Sequence, residues 1–304
     1  MVAVAERPGL AVSERIEERL RKGELTQKQV DDFRAFLRRV DKELMNHRII
    51  VDNKYTRWFQ KGQVNDQELR HFVKQFSVFS NLFLIAALNK VINAPSLEQM
   101  RQSKEILMNE LGVIYRKPGQ AIERDGGSEE QKDREGDPEI VSIEGTVDGG
   151  LYRHRAAHYE WLLAVGEGIG LTYKDIGKRK NGRPSTLAFC DGMARLYGSD
   201  DPMTAEGASF AVENWAAAGF WQEIEDGLMV IKNSRHPKLR LAFFTWHNRV
   251  EAQHADHVMD ELEETYFDED FDAEKFFKGG KEVLDCVAAF WDGLESDRVS
   301  KTYT

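Results

Sequence analysis

The sequence predicts an all-α protein, a single bundle of about seven long helices interrupted by one long loop. Apolar residues recur at the three- and four-residue spacing of helices through most of the 304 residues. Convincing runs of alternating apolar and polar residues, the pattern of strands, do not occur in the sequence. Residues 116–150 break the helical pattern: they are rich in charge, Gly and Pro and have scarcely any aromatic content. This composition favours a flexible insertion.

Two amphipathic helices are predicted at the start of the chain, over residues 12–22 and 27–46. In both, charged positions alternate with an apolar stripe at helical spacing. We expect residues 1–24 to form a helical extension and residues 25–304 to form a single domain.

The longest apolar helix is predicted over residues 65–93, followed by a helix over 96–112. Asn65 and Glu68 have the spacing of a capping box at the start of the first helix. Gly112 is a stop signal for the second.

Helical periodicity resumes after the insertion. The predicted helices span residues 151–170, 185–197, 203–223, 238–265 and 273–295. A short extended piece is expected at residues 139–143, inside the insertion.

Composition indicates the class of partner. A net charge of −10 and a pI near 5.4 argue against nucleic acid, which requires a basic face. The basic run GKRKNGRP, residues 177–184, is interpreted as a solvated loop. Cys190 and Cys286 are far apart, as in a protein of a reducing cytosol. Neither a secretory signal nor an apolar run long enough to span a bilayer is recognised, so we expect a cytoplasmic protein without a membrane partner.

The stretch FFTWHNRVEAQHADHVMDEL, residues 243–262, suggests a metal site. Steps of four and three residues place His247, Glu251 and His254 on one stripe of a helix. Apolar neighbours indicate that this helix is partly buried, and burying such groups without partners costs several kcal/mol per charged group. A bound metal would remove that cost. The alternative is the solvated face of a charged helix.

Three further candidates lie on other predicted helices. Glu110 ends an apolar helix, His158 lies within the apolar helix HRAAHYEWLLAVGEGIGL, and Glu213 is the lone carboxylate in SFAVENWAAAGFW. Each alone is compatible with a structural role. Together, the six residues on four helices match the inward-pointing ligand set of a dinuclear site in a bundle. The carboxylate-rich set suits iron or manganese better than zinc.

The order of NELG, H-x-x-W-L, FAVENW and H-x-x-x-E-x-x-H resembles the heme-oxygenase-like diiron oxidases and oxygenases. The similarity extends to residues 53–83 and 281–295 and covers roughly residues 40–295. It implies a seven-helix fold whose core binds two irons. The residues it implies as ligands are, for the first iron, Glu110, His158 and Glu213 and, for the second, His247, Glu251 and His254, with carboxylates shared between them.

The sequence departs from this family at two points. The family usually has Asp where this chain has Glu251, and 47 residues (111–157) separate Glu110 from His158. The N-oxygenating branch has a similar insertion that can supply a further carboxylate. Candidates here are Glu144 and Asp148, and His154 is a substitute for His158 one turn earlier.

The resemblance implies an O2-activating enzyme that works through a peroxo-diferric intermediate and takes electrons from a reductase or a chemical reductant. The insertion favours N-oxygenation of a small amine- or amino-acid-type substrate, whose carboxylate Arg153 and Arg155 could hold. Desaturation or C–C cleavage of an amino acid and decarboxylation of a fatty acid are alternatives within the family. A homodimer formed through the N-terminal helices is expected.

Other interpretations use the same residues differently. Glu68-x-x-His71 with Glu251-x-x-His254 would suit a ferritin-like diiron bundle, but we favour capping for Glu68 and a surface or boundary position for His71. Haem would need a single histidine and would leave the buried acids unexplained. Iron storage and a metal-independent binding module of the same fold are the competing classes.

Overall fold

The computed structural model describes residues 10–111 and 158–303, without the side chains of residues 98, 105, 109 and 250–257. Within these ranges it consists of helices joined by turns, with no strand, which confirms the all-α prediction. The insertion at 116–150, with its expected extended piece, lies outside the described residues.

Twelve α-helices can be followed along the described residues. In chain order they are α1 Glu14–Arg21, α2 Gln27–Val40, α3 Arg48–Val51, α4 Lys54–Phe59, α5 Asp66–Ile92, α6 Leu97–Leu111, α7 His158–Glu167, α8 Pro184–Leu196, α9 Pro202–Ala216, α10 Phe220–Ser234, α11 Ala242–Thr265 and α12 Ala273–Ser300. A π-helix, Asp41–Met45, follows α2, and a 3₁₀ turn, Arg179–Asn181, precedes α8.

The N-terminal helices differ from the prediction in length. α2 ends at Val40, and the predicted continuation to residue 46 is the π-helix. The short helices α3 and α4, which follow the π-helix, were not predicted. At the start of α1, Ser13 caps the helix and its backbone N–H donates to Glu263 of α11 over 3.0 Å. This bond ties the first helix to the bundle.

α5 is a long, apolar helix of 27 residues. Its predicted capping box is present: the Asn65 side chain accepts from the backbone of Glu68, and Glu68 accepts from the Asn65 N–H. Among the described helices it is the one long and apolar enough to cross a membrane, so the expectation that no run approaches that length does not hold for α5. It packs against α6, α7 and α8, whereas Ile85, Leu88 and Ile92 near its C-terminal end are exposed.

The predicted single helix over 203–223 is wrong. α9 ends at Ala216, and Gly219 has φ 99°, in the left-handed region that glycine reaches without steric penalty. The chain then turns into α10, whose residues beyond 223 were not predicted as helix. The break places Trp221 on a new helix, where it can face α11.

α9 is held between α12 on one side and α11 on the other. Its crossing with α12 is close because glycines face backbone: a Cβ at Gly207 would lie 1.9 Å from the Phe276 carbonyl oxygen, and one at Gly279 would lie 2.2 Å from that of Thr204. This contact fixes α9, and with it the position of Glu213, deep in the bundle.

Candidate metal centre

A cavity of about 620 Å³ lies among α5, α6, α7, α9, α10 and α11. Four of the six predicted ligands line it, each from a different helix: Glu110, His158, Glu213 and His247. Glu251 and His254 continue the same helix beyond His247, but their side chains lie outside the described residues.

Glu110 and His158 are in direct contact although 47 residues separate them in the chain. The Glu110 Oε2 and His158 Nδ1 atoms are 3.0 Å apart, and His158 is only 5% exposed. Without metal, this is a hydrogen bond. Neighbouring ligands of one octahedral ion, with bonds of about 2.1 Å, would also be separated by about 3.0 Å. The pair can therefore meet one ion with little movement.

His247 lies beside His158, with their ring centroids 4.6 Å apart. Its Nδ1 lies 2.7 Å from the Phe243 carbonyl oxygen one turn earlier, so Nδ1 carries the proton and donates. In this tautomer the lone pair lies on Nε2. A backbone carbonyl orients metal-binding histidines in the same way.

Aromatic rings enclose the two imidazoles. Trp221 stacks on His247 with a centroid distance of 4.5 Å and an interplanar angle of 22°. Trp246 and Trp161 lie 5.0 and 5.7 Å from the His158 ring. These rings displace water from one side of the site, which strengthens electrostatic interactions there.

Glu213 faces the cavity from α9 and is only 9% exposed. The Tyr197 hydroxyl donates a hydrogen bond to its Oε1 over 3.3 Å. Burial, helped by the Glu213 charge, raises the pKa of Tyr197 well above its ordinary value. Tyr197 therefore stays protonated and acts as a donor to the carboxylate.

A polar chain extends from Tyr197 to a lysine. Tyr197 is also a hydrogen-bond partner of Ser209, and the Lys90 Nζ donates to Ser209 Oγ over 2.7 Å. Sequence reasoning missed both Tyr197 and Lys90. Lys90 carries the signal that identified Glu213, a lone charge in an apolar helix (LFLIAALNKVIN), whereas nothing in the sequence around Tyr197 points to the site.

The donor set fits iron, since two imidazoles and two carboxylates suit Fe²⁺ or Mn²⁺. Within the described side chains, no three His, Cys, Asp or Glu residues come close enough to hold a metal by themselves. A complete centre would need the remaining residues of the α11 stripe, Glu251 and His254, to contribute.

The other proposed site residues in the insertion and just before α7 cannot be placed. Glu144, Asp148, Arg153, His154 and Arg155 all lie outside the described residues.

His71 corrects a sequence expectation. It was assigned to the surface or boundary, but it is 2% exposed, and its Nε2 lies 3.0 Å from Asp297 Oδ2 of α12. Burial lowers the pKa of His71 against the opposing effect of Asp297. It lies outside the cavity wall and Glu68 is engaged in the capping box, so the ferritin-like pairing is not formed by these two residues.

Comparison with known proteins gives the fold. A crystal structure from Shewanella denitrificans OS217, described as a domain of unknown function with a heme oxygenase-like fold, superposes with a TM-score of 0.50. The two chains are 13% identical over 91% of this chain and 96% of the other. This chain has a heme oxygenase-like fold. No family model matches its sequence, and no curated protein matches it either.

Proposed function

We propose that the protein is a non-heme diiron oxygenase or oxidase. The observation that carries this proposal is the convergence of Glu110, His158, Glu213 and His247, from four helices, on one partly aromatic cavity. A purely structural role would not require two histidines and two acids at the wall of one cavity in the core of a bundle.

In this proposal, the four residues together with Glu251 and His254 hold two irons. The iron pair, when bound, supplies reductive O2 activation for oxidation of a bound organic substrate. The protein's own residues orient and shield the site: Phe243 fixes the His247 tautomer, Tyr197 donates to Glu213, and Trp221 covers His247.

The reaction we propose is N-oxygenation of a small amine- or amino-acid-type substrate, with electrons from a reductase or chemical reductant. Its support is the sequence resemblance and the insertion between Glu110 and His158. Desaturation and oxidative C–C cleavage or decarboxylation are the alternatives within the same chemistry. We also propose, from the sequence, a cytoplasmic homodimer.

An anaerobic ferrous titration tests the proposal on wild type, Glu213→Gln and a control, Glu206→Gln. Glu206 lies two turns earlier on the same helix and is equally buried, but does not line the cavity. Wild type and Glu206→Gln should bind two irons per chain and consume O2 when exposed to it, whereas Glu213→Gln should lose iron and O2 consumption.

Iron binding at trace level in wild type would overturn the proposal. So would binding that is indifferent to Glu213. Either result would leave a metal-independent binding module as the better account of the cavity. An iron-storage protein would be recognised by a large shell-like assembly in a mass measurement.

A further inference from the structure

Lys90 brings a positive charge into the wall of the cavity. It is half-buried on α5, its Nζ donates to the neutral Ser209 hydroxyl, and it lies 4.9 Å from the centre of the Tyr197 ring. No carboxylate of the described residues forms an ion pair with it.

Glu261 brings a negative charge to the same cavity from α11. Its neighbours Asp260 and Glu264 also line the cavity, but they are exposed and pair with Arg15 over 3.8 and 2.7 Å. Glu261 is half-buried instead, and its carboxylate has no hydrogen bond or ion pair with any described side chain.

Lys90 and Glu261 both line the cavity, and both lie close enough to Glu206 to act on it, which places them at the same end. Both act electrostatically on the buried carboxyl of Glu206: Glu261 raises its pKa and Lys90 lowers it. They are nevertheless too far apart to pair with each other. Two opposite charges, both partly removed from water and without an ion-pair partner among the described side chains, favour a ligand with complementary charges.

The wall next to this polar end is apolar. Phe79, Phe83, Ile106 and Val212 line the cavity, and the Phe83 ring lies 5.3 Å from the Tyr197 ring beside Lys90. These four apolar side chains suit the hydrocarbon or aromatic part of a ligand.

We propose that this end of the cavity binds the head group of an α-amino acid. The Lys90 ammonium binds the ligand carboxylate, the Glu261 carboxylate binds the ligand ammonium, and the apolar side chain extends along the aromatic wall towards His158 and His247. The inference deepens the proposed function by naming its substrate class, and it rests on that function only for the claim that the bound amino acid is oxidised.

The two charges distinguish this ligand from its simpler relatives. A fatty acid would satisfy Lys90 and leave Glu261 unpaired, whereas an alkylamine would do the reverse. Leaving a partly buried charge unpaired weakens binding, so a ligand that carries both groups should bind most tightly.

A matched set of probes tests this on the full-length protein as purified: L-norleucine, hexanoate and pentylamine. Hexanoate is norleucine without its ammonium, and pentylamine is norleucine without its carboxylate. Binding can be followed at pH 7.5 by calorimetry and by the fluorescence of Trp215, Trp221 and Trp246, which line the cavity. We expect norleucine to bind about tenfold more tightly than either relative.

Two variants should then show opposite selectivity. Lys90→Gln should lose hexanoate binding and retain pentylamine binding, Glu261→Gln should do the reverse, and both should weaken norleucine binding about tenfold. Lys74→Gln is the control, because Lys74 lies on the same helix but pairs with Asp175 over 3.7 Å, away from the cavity. It should behave as wild type.

Several results would overturn the inference. Among them are equal binding of the three probes, no binding of any probe up to about 10 mM, and norleucine binding that neither substitution changes. The wild-type series decides the first two even if a variant fails to fold. Since the assay needs no iron, norleucine binding without iron binding would refute the diiron function and leave this site standing, and the converse would refute the site alone.

Discussion

The Glu213 carboxylate is buried in the bundle and accepts a hydrogen bond from a neutral donor, the Tyr197 hydroxyl. A neutral donor orients the carboxylate without cancelling its charge. Hydrogen bonds of this kind orient the carboxylates that bind metals.

The Tyr197→Phe substitution removes this donor with little change in volume. We expect Fe²⁺ affinity to fall about tenfold to a hundredfold and the free energy of unfolding to fall by about 1–3 kcal/mol, because Glu213 loses its donor. Ferrous titration and urea unfolding measure the two effects. Tyr159→Phe, which removes a hydroxyl bonded to the Ile176 carbonyl outside the cavity, should leave iron binding unchanged. Equal iron binding by both variants would contradict the assigned role.

Glu206 predicts a pH dependence of stability. Burial raises its pKa from 4.5 to about 7, against the hydrogen bond from Thr265. Because the folded state holds the proton more tightly than the unfolded state, stability should fall as pH rises from about 4.5 to about 7 and then level off.

The Glu206→Gln variant should therefore be more stable than wild type at pH 8, by up to about 3 kcal/mol, and close to it at pH 4.5. Urea unfolding at both pH values measures the difference, with the exposed Glu269→Gln as control. A constant difference between wild type and Glu206→Gln at both pH values would show that Glu206 does not titrate as described.

Charged residues isolated in apolar helices were the most informative single-residue signal. Glu213 was identified because its neighbours in the sequence are apolar and none of them can pair with a carboxylate. In the structure it lies in the cavity wall. Lys90 is also a lone charge in an apolar helix, but it was not predicted as a site residue. Tyr197 could not be found this way, because a tyrosine near a helix end is compatible with many environments and its partner comes from another helix.

At the scale of elements, the crossing of α9 and α12 sets the position of Glu213. Gly207→Ala would drive a methyl group into the Phe276 backbone, which cannot move without shifting α12. We expect a loss of about 2–3 kcal/mol in the free energy of unfolding, measured by urea denaturation.

Gly192 provides a matched comparison on α8. A Cβ there meets the Cys286 side chain at 2.5 Å instead of a backbone atom. Because a side chain can adjust more easily, Gly192→Ala should cost less than Gly207→Ala. The reverse order would show that backbone contact does not control the α9–α12 crossing.

Periodicity and capping predicted most helices, and the capping box at the start of α5 is present where the sequence placed it. The break between α9 and α10 was missed because a glycine inside an apolar run can continue a helix or end one. The packing of Trp221 against His247 selects the ending. The π-helix after α2 was missed for a similar reason, since residues 41–45 continue a helical pattern and only their hydrogen-bond register differs.

At the scale of the whole molecule, one buried ion-pair cluster joins distant parts of the chain. Asp297 near the end of α12 lies 3.0 Å from His71 of α5 and 2.8 Å from Arg183 at the start of α8. Arg183 belongs to the basic run interpreted as a solvated loop, so that interpretation misses its contact with the core.

Asp297→Asn should lower the free energy of unfolding by about 2–3 kcal/mol, because it leaves the partly buried Arg183 without a countercharge. Asp292→Asn is the control: Asp292 pairs with Arg48 over 2.6 Å, but both are 58% exposed, and the change should stay within about 0.5 kcal/mol. Thermal and urea unfolding measure both. Equal losses of unfolding free energy in the two variants would show that burial does not determine the strength of these ion pairs.

The assembly of the cavity could not be derived from local patterns. Each predicted ligand was identified from the residues next to it in the sequence. The 3.0 Å contact between Glu110 and His158, however, depends on how α6 and α7 pack against α5. The approach of His247 to His158 depends likewise on α7 meeting α11. Tertiary packing, and not sequence spacing, determines these distances.

The most direct test of the account is a crystal structure of the protein loaded anaerobically with Fe²⁺, with anomalous scattering measured at the iron edge. We predict two iron peaks about 4 Å apart in the cavity, beside Glu110, His158, Glu213 and His247. Iron bound elsewhere, or a cavity without anomalous density in an iron-loaded crystal, would contradict the diiron assignment.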